Sequence, residues 1–245
     1  MQRLQVDIWS DIACPWCYVG KRRFEAALAS FEERASVDVR WRSFELNPGA
    51  PQVEQFDGSY GERLARKYGV TAASGEEMVR SMTETAAAEG LDFRFDRIRP
   101  GNTFDAHRLV HLAATQGLGD AAKERLMRAY MTEGAAMGER DGLVQLAAEL
   151  GLDTDEVRAM FEGDTFEQAV RADEEEARVR GISGVPYFLI GGQHGLSGAQ
   201  PPELLLRALR AGWNDLESAR TAAGDDASED GATGDGESCG IDGCD

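Results

Sequence analysis

Residues 4–17 read Leu4-Gln5-Val6-Asp7-Ile8-Trp9-Ser10-Asp11-Ile12-Ala13-Cys14-Pro15-Trp16-Cys17. Apolar and polar positions alternate over residues 4–9, the period of a half-buried strand. From Cys17 onward Val19, Phe24, Ala27, Leu28 and Phe31 recur at helical spacing, and residues 37–44 return to alternation. The first 44 residues therefore predict strand, helix, strand, the opening of an α/β fold. Cys14 falls where the first strand gives way to the first helix.

That position has chemical consequences. A helix N-terminus presents unpaired N–H groups and a partial positive charge, which favour a thiolate over a thiol. Cys14 is accordingly expected to ionise below the value of about 8.5 for a free cysteine. Pro15 suits the first helical turn, where its missing N–H costs nothing. Trp16 adds an apolar, partly exposed face beside the sulfur. Two intervening residues put Cys17 one turn on, so that Cys14 can attack a disulfide and Cys17 can resolve the mixed disulfide. Cys14 is expected to be accessible and Cys17 sheltered. A zinc site shared with Cys239 and Cys244 is the less favoured reading, because a redox dithiol belongs at a strand-to-helix junction.

Far along the chain, Ser183-Gly184-Val185-Pro186-Tyr187-Phe188-Leu189-Ile190 places a proline directly before a short apolar run that reads as a buried strand. Pro186 there fits a cis Val185–Pro186 bond or an ordinary strand-capping proline. Gly191-Gly192 then suits a hairpin turn, with residues 194–196 returning and a final helix over 202–216. Between the two halves, helical patterns dominate: 60–68, 76–89, 103–115, 121–131, 142–150 and 166–179. Asn102, and Asp153 with Glu156 three residues on, are expected caps.

Taken together, Cys14-Pro-Trp-Cys17 after a strand, a helical insertion and Gly184-Val-Pro-Tyr-Phe188 before the last hairpin resemble the DsbA family of thioredoxin-fold thiol–disulfide oxidoreductases. Ser10-Asp11, Phe44-Glu-Leu-Asn-Pro48 and Asn102-Thr-Phe-Asp-Ala-His-Arg108 are similar to its FrnE-type cytosolic branch. The likeness spans about residues 1–218. It implies an α/β thioredoxin fold with a large inserted α-helical subdomain: residues 1–51 and 181–218 would form the thioredoxin fold, 52–180 the insertion and 219–245 an acidic tail. It also implies a cis Pro186 packed against Cys14 and a Val185 backbone that pairs with substrate, beside Pro15 and Trp16. A strongly oxidising potential is not implied, since Trp16 stands where DsbA has a histidine between its cysteines. A buried acid often serves the dithiol in such proteins. Either Asp7 or Asp11 could serve, with Asp7 preferred because Asp11 is expected at the surface.

The 245 residues are enough to bury a core without disulfide staples. The formal charge of −18 disfavours nucleic acid and anionic membrane surfaces as partners. Eight of those charges, with no Lys or Arg, lie from Thr221 to Asp245. On composition this segment is expected to lack fixed structure and to act as a flexible arm. The opening residues show no secretory pattern and no apolar stretch nears the ~20 residues of a membrane span, so a cytoplasmic location is expected.

Cys239-Gly-Ile-Asp-Gly-Cys244 ends the arm. Glycines at 240 and 243 permit closure of a disulfide, and the pair is read as an auxiliary redox couple able to reach Cys14. Its acids would be drawn to Lys21, Arg22 and Arg23 on the first helix. His107 and His111 share a helix face, but no carboxylate or cysteine spacing accompanies them, so they are read as packed or surface residues, as is His194. Trp41, Phe44 and Phe104 read as core.

The expected function is exchange of protein or peptide disulfides. No cofactor or metal is expected, and glutathione is the expected small redox partner. Two alternatives stand beside it. One is a glutathione-linked isomerase of a small aromatic or polyketide compound, to which Asn47 and the Val185 backbone would offer a glutathione site. The other is a thiol-based metal buffer or redox sensor centred on Cys239 and Cys244.

Overall fold

The structure is a computed structural model that describes residues 3–55 and 57–229. Four strands form one mixed sheet in the order β2-β1-β3-β4. β1 (Leu4–Ser10) lies parallel to β2 (Val37–Ser43) and antiparallel to β3 (Tyr187–Ile190), which pairs antiparallel with β4 (His194–Ser197). α1 (Pro15–Ala29) makes the crossover between β1 and β2. Seven helices occupy the stretch between β2 and β3: α2 (Tyr60–Tyr68), α3 (Ala72–Ala88), α4 (Phe104–Thr115), α5 (Gly119–Arg128), α6 (Arg140–Glu149), α7 (Thr154–Glu162) and α8 (Glu167–Val179). A π-helical turn, Ala129–Glu133, closes α5. α9 (Pro202–Glu229) follows the hairpin.

The alternation along β1 sorts its side chains between two cores. Leu4, Val6 and Ile8 pack with Phe24 of α1, with Phe31 just beyond that helix and with Leu205 and Leu209 of α9. Trp9 faces the other way, against Ala177 of α8, Ile182 and Leu189. A third, larger core holds the helical insertion together and includes Cys14, Cys17 and Tyr18. The dithiol thus sits at the seam between sheet and insertion.

Local signals placed most elements. Asp153 accepts hydrogen bonds from the N–H groups of Asp155 (2.8 Å) and Glu156 (3.3 Å), opening α7. Asn102 accepts from Phe104 N at 2.8 Å, although the capping position itself is Thr103. Two expectations need correction. α3 starts at Ala72 rather than 76, because Thr71 accepts the Ser74 N–H and caps it there. α9 does not stop at 216 but continues to Glu229, so the first nine residues of the supposed flexible arm are helical. Residues 217–223 contain three alanines and no proline or glycine, a composition that lets a helix propagate without tertiary help.

Candidate active site

β1 delivers the chain to a tight turn. Cys14 N–H donates to the Asp11 carbonyl at 3.2 Å, and Cys14 becomes the N-cap of α1 with φ −91° and ψ 113°. Pro15 occupies the first helical turn, and Cys17 N–H donates back to the Cys14 carbonyl at 3.1 Å. Both cysteines are free thiols. The Val185–Pro186 bond is cis, and the Cys14 thiol donates to the Val185 carbonyl at 3.6 Å. The carbonyl before the proline thus faces the sulfur. The Pro186 ring presses on α1 at Gly20, where an added Cβ would stand 2.9 Å from its Cγ. Helix-interior glycine is disfavoured, so Gly20 was a visible but unread sign of this close approach.

Cys14 is not openly exposed: 4 % of it is accessible, against 1 % of Cys17. The difference lies in what each faces. Cys14 lines a cavity of about 270 Å³, together with Pro15, Trp16, Asn47 and Val185. The far wall is built by the insertion, with Tyr60, Arg63 and Lys67 of α2 and Tyr130 of the π-helical turn. Arg63 is tied to Glu54 at 2.7 Å. Lys67 rests over the Tyr68 ring, 5.6 Å from its centroid. Burial pushes Tyr60 up to about 12, so it remains a neutral hydrogen-bonding phenol.

Behind the dithiol lies a buried polar cluster. Asp11, 1 % exposed, accepts from Leu46 N (2.8 Å) and Ala13 N (3.2 Å). His107 Nε2 stands 3.5 Å from Asp11 Oδ1, long for a hydrogen bond, and has no hydrogen-bond partner among the described residues. Burial alone would raise the Asp11 carboxyl, but His107 and the two backbone donors outweigh it and hold the group below its ordinary value. Burial pushes the His107 imidazole below its ordinary value, against the pull of Asp11. Lys123, from α5, donates to the Ser10 carbonyl at 3.1 Å and is pushed down to about 8 by burial. Burial, reinforced by Cys14, pushes the Cys17 thiol well above the usual range.

The roles expected of the two acids are reversed. Asp11 is the enclosed one beside the dithiol. Asp7 points to the α8 face of the sheet, where Arg42 bridges it (2.7 Å) to Asp173 (2.9 Å). The strand alternation that sends Val6 and Ile8 toward α1 sends Asp7 away from it. The histidines do find carboxylates, from distant segments: Asp11 for His107, and Asp173 for His111 at 3.1 Å. His194 likewise meets Asp215 at 2.7 Å.

Trp41 is half-buried, with its indole N–H on Asp120 at 3.0 Å. Phe104 lies under the Arg171 guanidinium, 4.2 Å from its ring centroid. Cys239 and Cys244 lie outside the described residues. The cations expected to attract the tail are already engaged. Lys21 and Arg22 pair with Glu25 and Glu124, and Arg23 with Glu89 at 2.6 Å.

Residues 5–210 match the family model of the DSBA-like thioredoxin domain. A crystal structure of a probable DsbA oxidoreductase from Streptomyces coelicolor is 42 % identical, with a TM-score of 0.81 over 86 % of this chain and 91 % of that one. The uncharacterized protein YwbO of Bacillus subtilis is 29 % identical over 195 residues, 77 % of this chain and 87 % of its own. The cytosolic disulfide reductase DsbM of Pseudomonas aeruginosa shares the fold at 19 % identity and a TM-score of 0.55, over 89 % of this chain and 99 % of that one. With a sheet, a cysteine-bearing turn and a match that runs through nearly all the described elements, this chain belongs to the DSBA-like thioredoxin domain family.

Proposed function

We propose that the protein exchanges disulfides with protein or peptide substrates, with Cys14 as the attacking and Cys17 as the resolving thiol. In the reducing direction the Cys14 thiolate attacks one sulfur of a substrate disulfide. The S–S bond breaks, and the other substrate sulfur leaves with the electron pair and takes up a proton. Cys17 then displaces the first substrate sulfur, which closes the Cys14–Cys17 disulfide and releases a dithiol. Two electrons pass to the substrate, and the reverse sequence oxidises it.

The observation that carries this reading is the asymmetry of the pair at the head of α1: Cys14 lines the cavity and Cys17 does not. A polypeptide substrate is favoured by the rim. Trp16, Leu46 and Tyr68, exposed by 42 %, 42 % and 55 %, surround the opening, and such an apolar collar suits an unfolded chain. Val185 and Asn47 would position the substrate backbone, and glutathione would serve as the small redox partner. The name carried by the Streptomyces coelicolor relative supports the same chemistry.

The tail pair, Cys239 and Cys244, would pass electrons to or from Cys14–Cys17. The proposed place of work is the cytoplasm; among the described residues no helix is long and apolar enough to cross a membrane.

The test is insulin reduction with single-cysteine variants. Cys14→Ser is expected to lose the activity, and Cys17→Ser to accumulate mixed disulfides with substrate. Full activity in Cys14→Ser would overturn the assignment. The relay is tested with Cys239→Ser/Cys244→Ser, which is expected to slow turnover. Unchanged turnover, with no disulfide trapped between the two pairs, would remove it.

A further inference from the structure

Three hydroxyls on the wall of the Cys14 cavity lack the partners that such groups ordinarily find. Thr103 stands at the N-cap of α4, where a threonine oxygen usually accepts an N–H of its own helix. Here it makes no such bond, and Asn102 accepts the Phe104 N–H in its place, at 2.8 Å. Tyr130 lies in the π-helical turn that closes α5, a geometry that recurs at functional sites. Tyr60 opens α2. All three line the cavity that holds Cys14, and none of their hydroxyls has a hydrogen-bond partner among the described residues.

Enclosure makes this costly. Thr103 is 4 % exposed and Tyr130 3 %, and a polar group withdrawn from water without a new partner is destabilising. Among the described residues the fold does seal some unpartnered side-chain atoms away, on Gln5, Ser10, His107 and Arg125, but the three hydroxyls are not among them. They therefore open on accessible space, and the cavity is the space they share. Burial keeps both phenols protonated, so they remain donors. The enclosed charges around them are already matched: Arg63 by Glu54 at 2.7 Å, and Asp11 by Leu46 N, Ala13 N and the facing His107. Lys67, the remaining cation of the wall, is exposed. With about 270 Å³ the cavity is smaller than the roughly 300–1,000 Å³ of sites that enclose drug-sized ligands, so it suits a side chain beside the reacting sulfur.

We propose that Tyr60, Thr103 and Tyr130 form a specificity subsite for a neutral hydrogen-bonding side chain, an amide or a hydroxyl, on the residue that flanks the substrate cysteine. The proposal rests on the disulfide-exchange reading, in which Cys14 holds the substrate sulfur in the same cavity. Such a side chain both donates and accepts, as the hydroxyls do, and it can satisfy them without adding charge. An aliphatic side chain of the same size would displace water and leave the hydroxyls unpaired, the penalty that makes polar sites selective. A carboxylate would add an anion to an enclosure that already holds Asp11, Glu54 and the Cys14 thiolate, with no uncommitted cation inside it. The exposed collar of Trp16, Leu46 and Tyr68 would then hold a chain of any sequence, while the hydroxyls read the residue next to its cysteine.

The test reads the subsite at equilibrium, without turnover. The full-length chain carrying Cys17→Ser, Cys239→Ser and Cys244→Ser is equilibrated with an equal mixture of short peptides, in thiol and disulfide forms, whose single cysteine is flanked on both sides by Gln, by Glu or by Leu. Mass spectrometry then counts the mixed disulfides on Cys14. The Gln peptide is expected to exceed each of the others by about tenfold, the worth of one well-made enclosed hydrogen bond. Equal occupancy, or a preference for Leu or Glu, would overturn the proposal. Tyr130→Phe and Thr103→Val keep the shape and delete the oxygen, and each is expected to cut the Gln preference by at least about threefold while the urea midpoint of unfolding holds. A lowered midpoint with the preference intact would make the hydroxyls structural and overturn it as well. Insulin reduction by the wild type, run alongside, separates the two readings. Insulin reduced with no discrimination among the peptides removes the subsite and leaves the exchange reaction standing, whereas insulin left intact and no mixed disulfide with any peptide removes both.

Discussion

Lys21 and Lys123 are both enclosed, and both lay an ammonium against the same ring, that of Trp41, at 5.9 Å and 5.7 Å. Their surroundings differ completely. Lys21 is gripped by Glu25, by Asp120 at 3.2 Å and by Glu124 at 3.3 Å, so that the carboxylates outweigh its burial and raise its pKa. Lys123 has the Ser10 carbonyl and no carboxylate in an ion pair among the described residues, and burial wins. Burial alone therefore does not decide which way an enclosed lysine shifts. The distinction lies in whether carboxylates stand within ion-pairing distance, as at Lys21, or a carbonyl and an aromatic face alone meet the ammonium, as at Lys123.

The largest effect that would sharpen this contrast is at the dithiol itself: Cys14→Ser is expected to lower insulin reduction to the uncatalysed rate. Next comes the close approach of α1 to the loop before β3. Gly20→Ala places a Cβ 2.9 Å from Pro186 Cγ, and is expected to cost about 1–3 kcal/mol in urea unfolding and to slow turnover by displacing Val185. Full stability and activity in that variant would mean that the loop yields freely.

The lysines are expected to part company in the same unfolding assay. Lys21→Met leaves Asp120 without its cation and Glu25 and Glu124 with Arg22 alone. It should cost about 1–3 kcal/mol, below the usual figure for a broken buried pair because those carboxylates reach solvent. Lys123→Met removes an unmatched ammonium and is expected to be neutral or stabilising at pH 7. Equal losses would erase the comparison.

The pH dependence carries a definite sign. Lys123 binds its proton more weakly in the folded chain than in the unfolded one. Between about 8 and the ordinary lysine value of 10.5 the unfolded state holds more protons, and this residue's contribution to stability rises with pH. The wild type should therefore gain on Lys123→Met across that interval. Histidine gives the smaller counterpart on the acid side. His107 is depressed in the fold, so its contribution is fully present above the unfolded value of 6.5 and is lost as pH falls through its folded value. His107→Gln is expected to flatten that acid limb.

How much of this was legible beforehand depended on distance along the chain. Cys14-Pro15-Trp16-Cys17, the strand before it and the Val185-Pro186 turn are local patterns, and each was found where its neighbours predicted. Asp153 announced α7 in the same way. The cluster behind the dithiol was not legible, because its members are separated by the insertion: Asp11 meets His107 and Leu46, and Lys123 meets Ser10, across gaps that periodicity does not register. The mistaken preference for Asp7 over Asp11 has the same origin, since which acid is enclosed is decided by α4 and α5 folding over the turn. The helical start of the tail was missed because weak amphipathicity was taken as absence of helix, although alanine supports a helix without any partner.

The account rests on the inequality of Cys14 and Cys17, and their separate alkylation rates at pH 7 test it most directly. In reduced protein, with Cys239 and Cys244 replaced by serine, mass spectrometry of iodoacetamide-modified peptides should show Cys14 reacting at least about tenfold faster than Cys17. A thiol facing the cavity at a helix N-terminus is the more reactive of the two, and a buried one held protonated is not. Equal rates, or faster labelling of Cys17, would contradict it.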